Sequence, residues 1–240
     1  MNNWSDRPWD LLHPMLSDQR KNRMLVASAR RTYKMRLVLQ DTYHAHNVSA
    51  CMRTAEAFGV QVIDYVGLRS QPRATGVSRG VERWLTLNRY RGIEPCGEEI
   101  RRSGFLLVGA TVGSSCGSLP ALALHEIPVD RPIALVFGNE KDGIHEDWYS
   151  YLDATVTIPM VGLVESLNIS VSAAIAIHSL TARLREHWGP SYDVTPEEQS
   201  VLLDTWICRH FPHWQGLIKH LAVASPYLIS APVGRVLHPD

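Results

Sequence analysis

Cysteine is scarce and dispersed in this chain: Cys51, Cys96, Cys116 and Cys208 are the four among 240 residues. No two stand at the Cys-x-x-Cys spacing of a zinc pair, and their separations give no disulfide framework. A reducing compartment, the cytoplasm, is the expected setting. Long apolar runs are also missing. The longest are of strand or helix size, short of the ~18 to 20 residues that cross a bilayer, so no membrane partner is expected. The opening MNNWSDRPWDLLHPM carries early acids and no apolar core, and no secretory signal is expected from it. Net charge is absent as well, formally zero. That balance excludes a uniformly basic nucleic-acid coat, although the distribution of charge matters more than its sum.

What is present is an ordinary globular composition, 45% hydrophobic and 20% charged, in a chain long enough for one α/β domain with extensions. Arg20, Lys21, Arg23, Arg30, Arg31, Lys34 and Arg36 crowd a segment whose acid is Asp18. A second group runs through Arg69, Arg73, Arg79, Arg83, Arg89 and Arg91 to Arg101 and Arg102, and acids are enriched only after Glu94. Either group reads as a solvated face or as an arm for RNA phosphates.

No internal repeat or low-complexity run interrupts the chain. Residues 1–34 read as short helices broken near Pro14, with Ser17 or Asp18 as a cap. The core then predicts strands at 35–40, 60–66, 105–109, 133–137 and 154–158, and helices at 47–58, 80–86, 95–103, 145–151 and 167–186. Gly189-Pro190 stops the last of these, and Thr195 with Glu198 forms a capping box for a helix over 196–211. The tail from Ala224 reads as loose. The expected division is a basic extension (1–34), an α/β domain (35–188) and a C-terminal extension (189–240).

Three segments carry chemistry. In Asn47–Val60, NVSACMRTAEAFGV, the residues Val48, Cys51, Met52, Ala55 and Phe58 fall at helical spacing and leave Asn47, Arg53 and Glu56 on other faces. In Ile133–Gly143, IALVFGNEKDG, a run suited to a strand buried on both faces breaks at Gly138 into a polar, glycine-bounded loop. In Ile158–Ile177, IPMVGLVESLNISVSAAIAI, a Pro/Gly turn carrying Ser166 and Asn168 runs into an apolar helix that either residue can cap. Each taken alone is also an ordinary loop and core helix. Ligands of open α/β sheets gather at such strand ends.

These blocks, in this order, resemble the TrmH (SpoU) branch of the SPOUT RNA 2′-O-methyltransferases. Asn47, Arg53-Thr54 and Gly59-Val60 match its first motif; Gly138, Glu140 and Gly143 its second; Ile158-Pro159-Met160, Gly162, Ser166-Leu167-Asn168 and Ser170 its third. The likeness covers roughly residues 20–187. It implies a mostly parallel sheet flanked by helices with a C-terminal deep trefoil knot, which no hydrophobic pattern reveals. It implies S-adenosyl-methionine as cofactor, held at Thr111, Gly138, Glu140, Ile158, Met160 and Leu167, and a catalytic group of Arg53, Asn47, Ser166 and Asn168. Arg20, Arg23, Arg30 and Arg31 become the RNA-facing cations. A homodimer is implied, with no metal.

By the same resemblance, the short segment before the first motif and the helix at 196–211 look like the enzymes that methylate guanosine 18 of tRNA. The alternatives are a 23S ribosomal-RNA ribose methyltransferase, including the antibiotic-resistance kind, and a non-catalytic RNA-binding protein of the same fold. His145 departs from the family, where Ser is usual, and reads as a cap variant. His44, His46, His178 and His187 have no metal-ligand spacing.

Overall fold

A computed structural model of the protein describes residues 7–42, 44–67, 80–112 and 119–218. The loose tail expected from Ala224, the cations Arg69, Arg73 and Arg79, and Cys116 lie outside these residues. The described chain falls into two compact units: the segments up to Ser28 and from Pro196 form one, and Ala29–Thr195 the other.

The first unit contains α1 (Pro8–Leu12), a 3₁₀ turn at His13–Met15, α2 (Asp18–Ala29, whose last residue belongs to the second unit) and α6 (Pro196–His210). The break near Pro14 is where the sequence places it. Ser17 Oγ accepts from Arg20 N at 3.3 Å, as a cap does. Asp204 of α6 accepts from Trp9 N at 2.9 Å and from Arg7 Nε at 3.0 Å, so one carboxylate satisfies a free amide of α1 and an adjacent cation.

The second unit is built on seven strands: β1 (Thr32–Gln40), β2 (Val60–Val66), β3 (Thr86–Tyr90), β4 (Leu106–Ala110), β5 (Ala121–Leu122), β6 (Ile133–Phe137) and β7 (Ala154–Val156). Their order is β3-β2-β1-β6-β4-β7-β5, and every pairing is parallel. Parallel strands need crossovers that cover both faces, which is why β6, IALVF, is apolar and buried at every position. Its neighbours alternate. Met35, Leu37 and Leu39 of β1 pack on α3 (Ala45–Ala57) and α5 (Ile169–Trp188), through Val48, Cys51, Met52, Ala173, Ala176 and Ile177. Val38, Ala134, Val136 and Leu107 face the other way, onto Ile93, Cys96 and Ile100 of α4 (Ile93–Arg102) and onto Trp148.

The strands at 60–66 and 133–137 have the expected bounds, and the others begin or end within a few residues of theirs. Two expectations are corrected. Residues 80–86 are not a helix but a 3₁₀ turn, Val81–Trp84, leading into β3. TLNRY is the edge strand of the sheet and only partly buried, so it lacks the apolar run that marks its neighbours. The stretch 145–151 is a 3₁₀ turn, Glu146–Ser150, capped by His145, whose Nδ1 accepts from Asp147 N at 3.3 Å. The two-residue β5 was not expected at all. Among the described residues no helix is long and apolar enough to cross a membrane.

Candidate active site

Strands β1, β4, β6 and β7 end on the same side, and the segments that follow them enclose a cleft of about 870 Å³. Asn47, Thr111, Gly138, Glu140, Ile158, Met160, Ser166, Leu167 and Asn168 all line it. Nine residues from four segments, up to 121 positions apart, therefore share one cavity.

A chain of polar contacts ties the three motif segments together. Asn47 Nδ2, in the first turn of α3, donates to Glu140 Oε1 at 2.9 Å, and Asn47 Oδ1 accepts from Asn168 Nδ2 at 3.2 Å. Asn168 Oδ1 accepts in turn from Ser170 N at 2.8 Å, which makes Asn168 the N-cap of α5. Asn47 is buried, so its amide is committed in both directions. Glu140 is exposed, and its Oε1 links the loop after β6 to the start of α3. Ser166 is exposed on the cleft wall.

The loop after β6 is organised by a residue that sequence reasoning passed over. Asn139 exchanges backbone hydrogen bonds with Gly143 at 2.8 and 2.9 Å. Its Oδ1 accepts from Lys141 N at 2.7 Å and Asp142 N at 3.1 Å, and its Nδ2 donates to Asp41 O at 2.9 Å. An Asn that folds back on the amide two residues on is an Asx turn, and the glycine-bounded N-E-K-D string carried that signal. Gln40 was also missed: its Oε1 receives His145 N at 2.9 Å and fixes the loop's far end. At Gly138 a Cβ would overlap the backbone of Gly143 and Ile144, so the glycine is required by close approach.

Not every expected residue enters the cleft wall. Arg53 is exposed on α3, six residues after Asn47 and so about 120° round the helix from it. Arg20 and Arg23 lie on α2, Arg23 exposed and Arg20 half-buried. Arg30 is exposed but paired with Asp193 at 2.9 Å. Arg31 is corrected: its side chain is 2% exposed and donates to Glu56 Oε1 at 2.7 Å, so it presents no charge to a ligand. Burial lowers its guanidinium and the Glu56 carboxylate works against that. Beneath the cleft, burial followed by the charge of Glu140 pushes the Cys51 thiol up to about 12, which leaves it a packing group. Among the described residues no three His, Cys, Asp or Glu side chains converge as metal ligands would.

Comparison with known proteins agrees with this arrangement. Residues 34–178 match the SpoU rRNA Methylase family. A tRNA (guanosine(18)-2′-O)-methyltransferase of Borreliella burgdorferi is 27% identical over 177 residues, covering 73% of this chain and 79% of its own. The crystal structure of the A. aeolicus TrmH/SpoU tRNA modifying enzyme superposes with a TM-score of 0.70 at 25% identity, over 81% of this chain and 98% of that one. The SpoU methyltransferase AviRb of Streptomyces viridochromogenes, solved with the cofactor AdoMet, shares the fold with a TM-score of 0.55 at 23% identity, over 64% and 61% of the two chains. The matched segment contains all four segments that meet at the cleft, and the chain belongs to the SpoU rRNA methylase family.

Proposed function

We propose that this protein methylates a ribose 2′-hydroxyl of RNA from S-adenosyl-methionine, with guanosine 18 of tRNA as the target. The observation that carries the reading is the Glu140–Asn47–Asn168 chain, which joins three separately matched motifs around one cleft. The family match and the tRNA-modifying relatives support it.

The cleft suits the cofactor. Gly138 lets the loop fold back against the backbone of Gly143 and Ile144 at the cleft wall, and the Thr111 hydroxyl is buried without a hydrogen-bond partner among the described residues. Ile158, Met160 and Leu167 would clasp an adenine, while Thr111 and the Gly138–Glu140 backbone would hold its polar parts. When bound, S-adenosyl-methionine supplies a methyl group on a sulfonium. Asn47, Ser166 and Asn168 would shape the space for the ribose, and their fixed dipoles require little reorganisation when charge develops. A guanidinium is a poor base, so Arg53 would hold the target phosphate and its charge would stabilise negative charge developing on the 2′-oxygen.

Arg53 stands outside the wall of its own cleft. Val161, Leu163, Val164, Val171 and Ile175 are exposed apolar side chains on the third loop and α5. A homodimer covering that face accounts for both, since a second copy can bring its Arg53 to this cleft. Light scattering is expected to give twice the chain mass of 26.9 kDa, and a monomer at working concentration would exclude this assembly. Arg20 and Arg23 are proposed as phosphate contacts. The family resemblance also implies the trefoil knot. It is supported by β6 lying between β1 and β4 while the chain passes on to β7 and returns through α5 to α3.

The test is transfer of labelled methyl to unmodified tRNA transcripts. Incorporation is expected with wild type, absent when guanosine 18 is replaced, and reduced about 100-fold by Arg53→Ala with cofactor affinity unchanged. Labelling of ribosomal RNA instead would reassign the target. Cofactor binding without labelling of either RNA would indicate a binding protein.

A further inference from the structure

Two imidazoles stand at the mouth of the cleft and are used by nothing described so far. His44, the residue before α3, and His46, in its first turn, both line the cleft and are both exposed. Their ring centroids are 5.3 Å apart at an interplanar angle of 31°. Among the described residues neither ring has a hydrogen-bond or charged partner, and His44 has no side-chain capping bond. The other described histidines with ring contacts are engaged elsewhere: His13 with Trp9, His178 with Phe58, His187 with Trp188 and His210 with Phe211. His145 is a cap.

We infer that the His44–His46 pair is a stacking platform for an unstacked nucleobase of the RNA substrate, at or beside the methylated nucleotide. A single-stranded RNA base offers two π faces, and proteins meet them with exposed aromatic or imidazole rings. The pair adjoins Asn47, so a base lying on it has its ribose beside the Glu140–Asn47–Asn168 chain. Helix α3 carries His46, and the His44 carbonyl accepts from Asn47 N at 2.8 Å, so the backbone that bears both rings is already placed before binding. The platform grips the base while the cleft wall handles the ribose and cofactor. Purine stacking is also open to the adenine of the cofactor, and the experiment separates the two.

This inference rests on the RNA-methyltransferase reading, and wild-type methylation of the transcript checks that reading in the same assay. The measurement is steady-state methyl transfer to an unmodified tRNA transcript by His44→Ala/His46→Ala and His44→Phe/His46→Phe, with calorimetric titration of S-adenosyl-methionine into each. The alanine pair is expected to raise KM for the transcript about tenfold or more with cofactor Kd unchanged, and the phenylalanine pair to restore it to within about threefold of wild type. An active wild type with an unchanged KM in the alanine pair would overturn the platform. So would a phenylalanine pair as impaired as the alanine pair, or a loss confined to cofactor affinity. Retained cofactor binding and an unchanged melting temperature report that each variant folds.

Discussion

Gly138→Ala is expected to abolish methyl transfer and to reduce S-adenosyl-methionine binding at least 100-fold. The added Cβ would overlap the backbone of Gly143 and Ile144, not the free end of a side chain. Backbone on both sides is held: Gly143 by its paired bonds to Asn139, and His145 by Gln40. The loop cannot yield without losing the Asn139 turn, and with it the placement of Glu140 against Asn47. Calorimetric titration of cofactor and labelled-methyl incorporation check this together. Affinity within threefold of wild type would mean that the loop relaxes freely and that its backbone is not the cofactor cradle. Gly143, at φ +71° with nothing near its missing Cβ, is the comparison site. Gly143→Ala meets backbone strain only, and a smaller loss of about tenfold is expected there.

Arg36→Met is expected to destabilise the protein by about 3–5 kcal/mol, the largest effect on stability of any single change considered. Arg36 on β1 reaches Asp64 of β2 at 2.8 Å and Glu99 of α4 at 3.1 Å, and the Asp64 side chain is 0% exposed. Asn88 of β3 donates to Asp64 at 2.8 Å, so one carboxylate joins three strands. Without the guanidinium, Asp64 keeps one neutral donor and no counter-charge. Urea unfolding gives the free-energy change, and a loss below about 1 kcal/mol would show that the interior solvates Asp64 by other means.

The pH dependence of that variant has a definite sign. Burial already pushes the Asp64 carboxyl up, against the pull of Arg36 and Asn88. Removing Arg36 raises it further, so the folded variant binds a proton that the unfolded chain releases. Its stability deficit is therefore expected to be greatest at neutral pH and to shrink as the pH falls. Arg36→Met/Asp64→Leu is expected to recover part of the loss, because no charge is then left buried.

How much of this was legible in advance can be followed residue by residue. Asn168 was readable as a helix cap and Gly138 as a loop boundary, because capping and strand-end patterns are local and written in adjacent residues. The strand at 133–137 was readable because burial on both faces leaves no polar interruption. The edge strand TLNRY was not, since its residues are only partly buried and its sequence has no apolar run. Arg31 misled for a different reason. Its charge is visible in the sequence, whereas the Glu56 that neutralises it lies 25 positions away and meets it only when β1 and α3 have packed. Arg53 was placed at the reaction centre by resemblance, and in a single chain it stands apart from the cleft wall.

The sequence by itself determined the class of fold, the main elements around the cleft and three of the four segments that enclose it, because hydrophobic period, turn residues and caps act over a few neighbouring positions. Only the tertiary structure decided which polar groups meet. Asn47, Glu140 and Asn168 are separated by up to 121 positions, and nothing local gives the 2.9 and 3.2 Å contacts among them. Those contacts follow from parallel strand order, which brings the ends of β1, β6 and β7 to one side of the sheet. The same packing decided that Arg31 is a structural cation, that Asn139 holds the loop after β6, and that His44 and His46 line the cleft together.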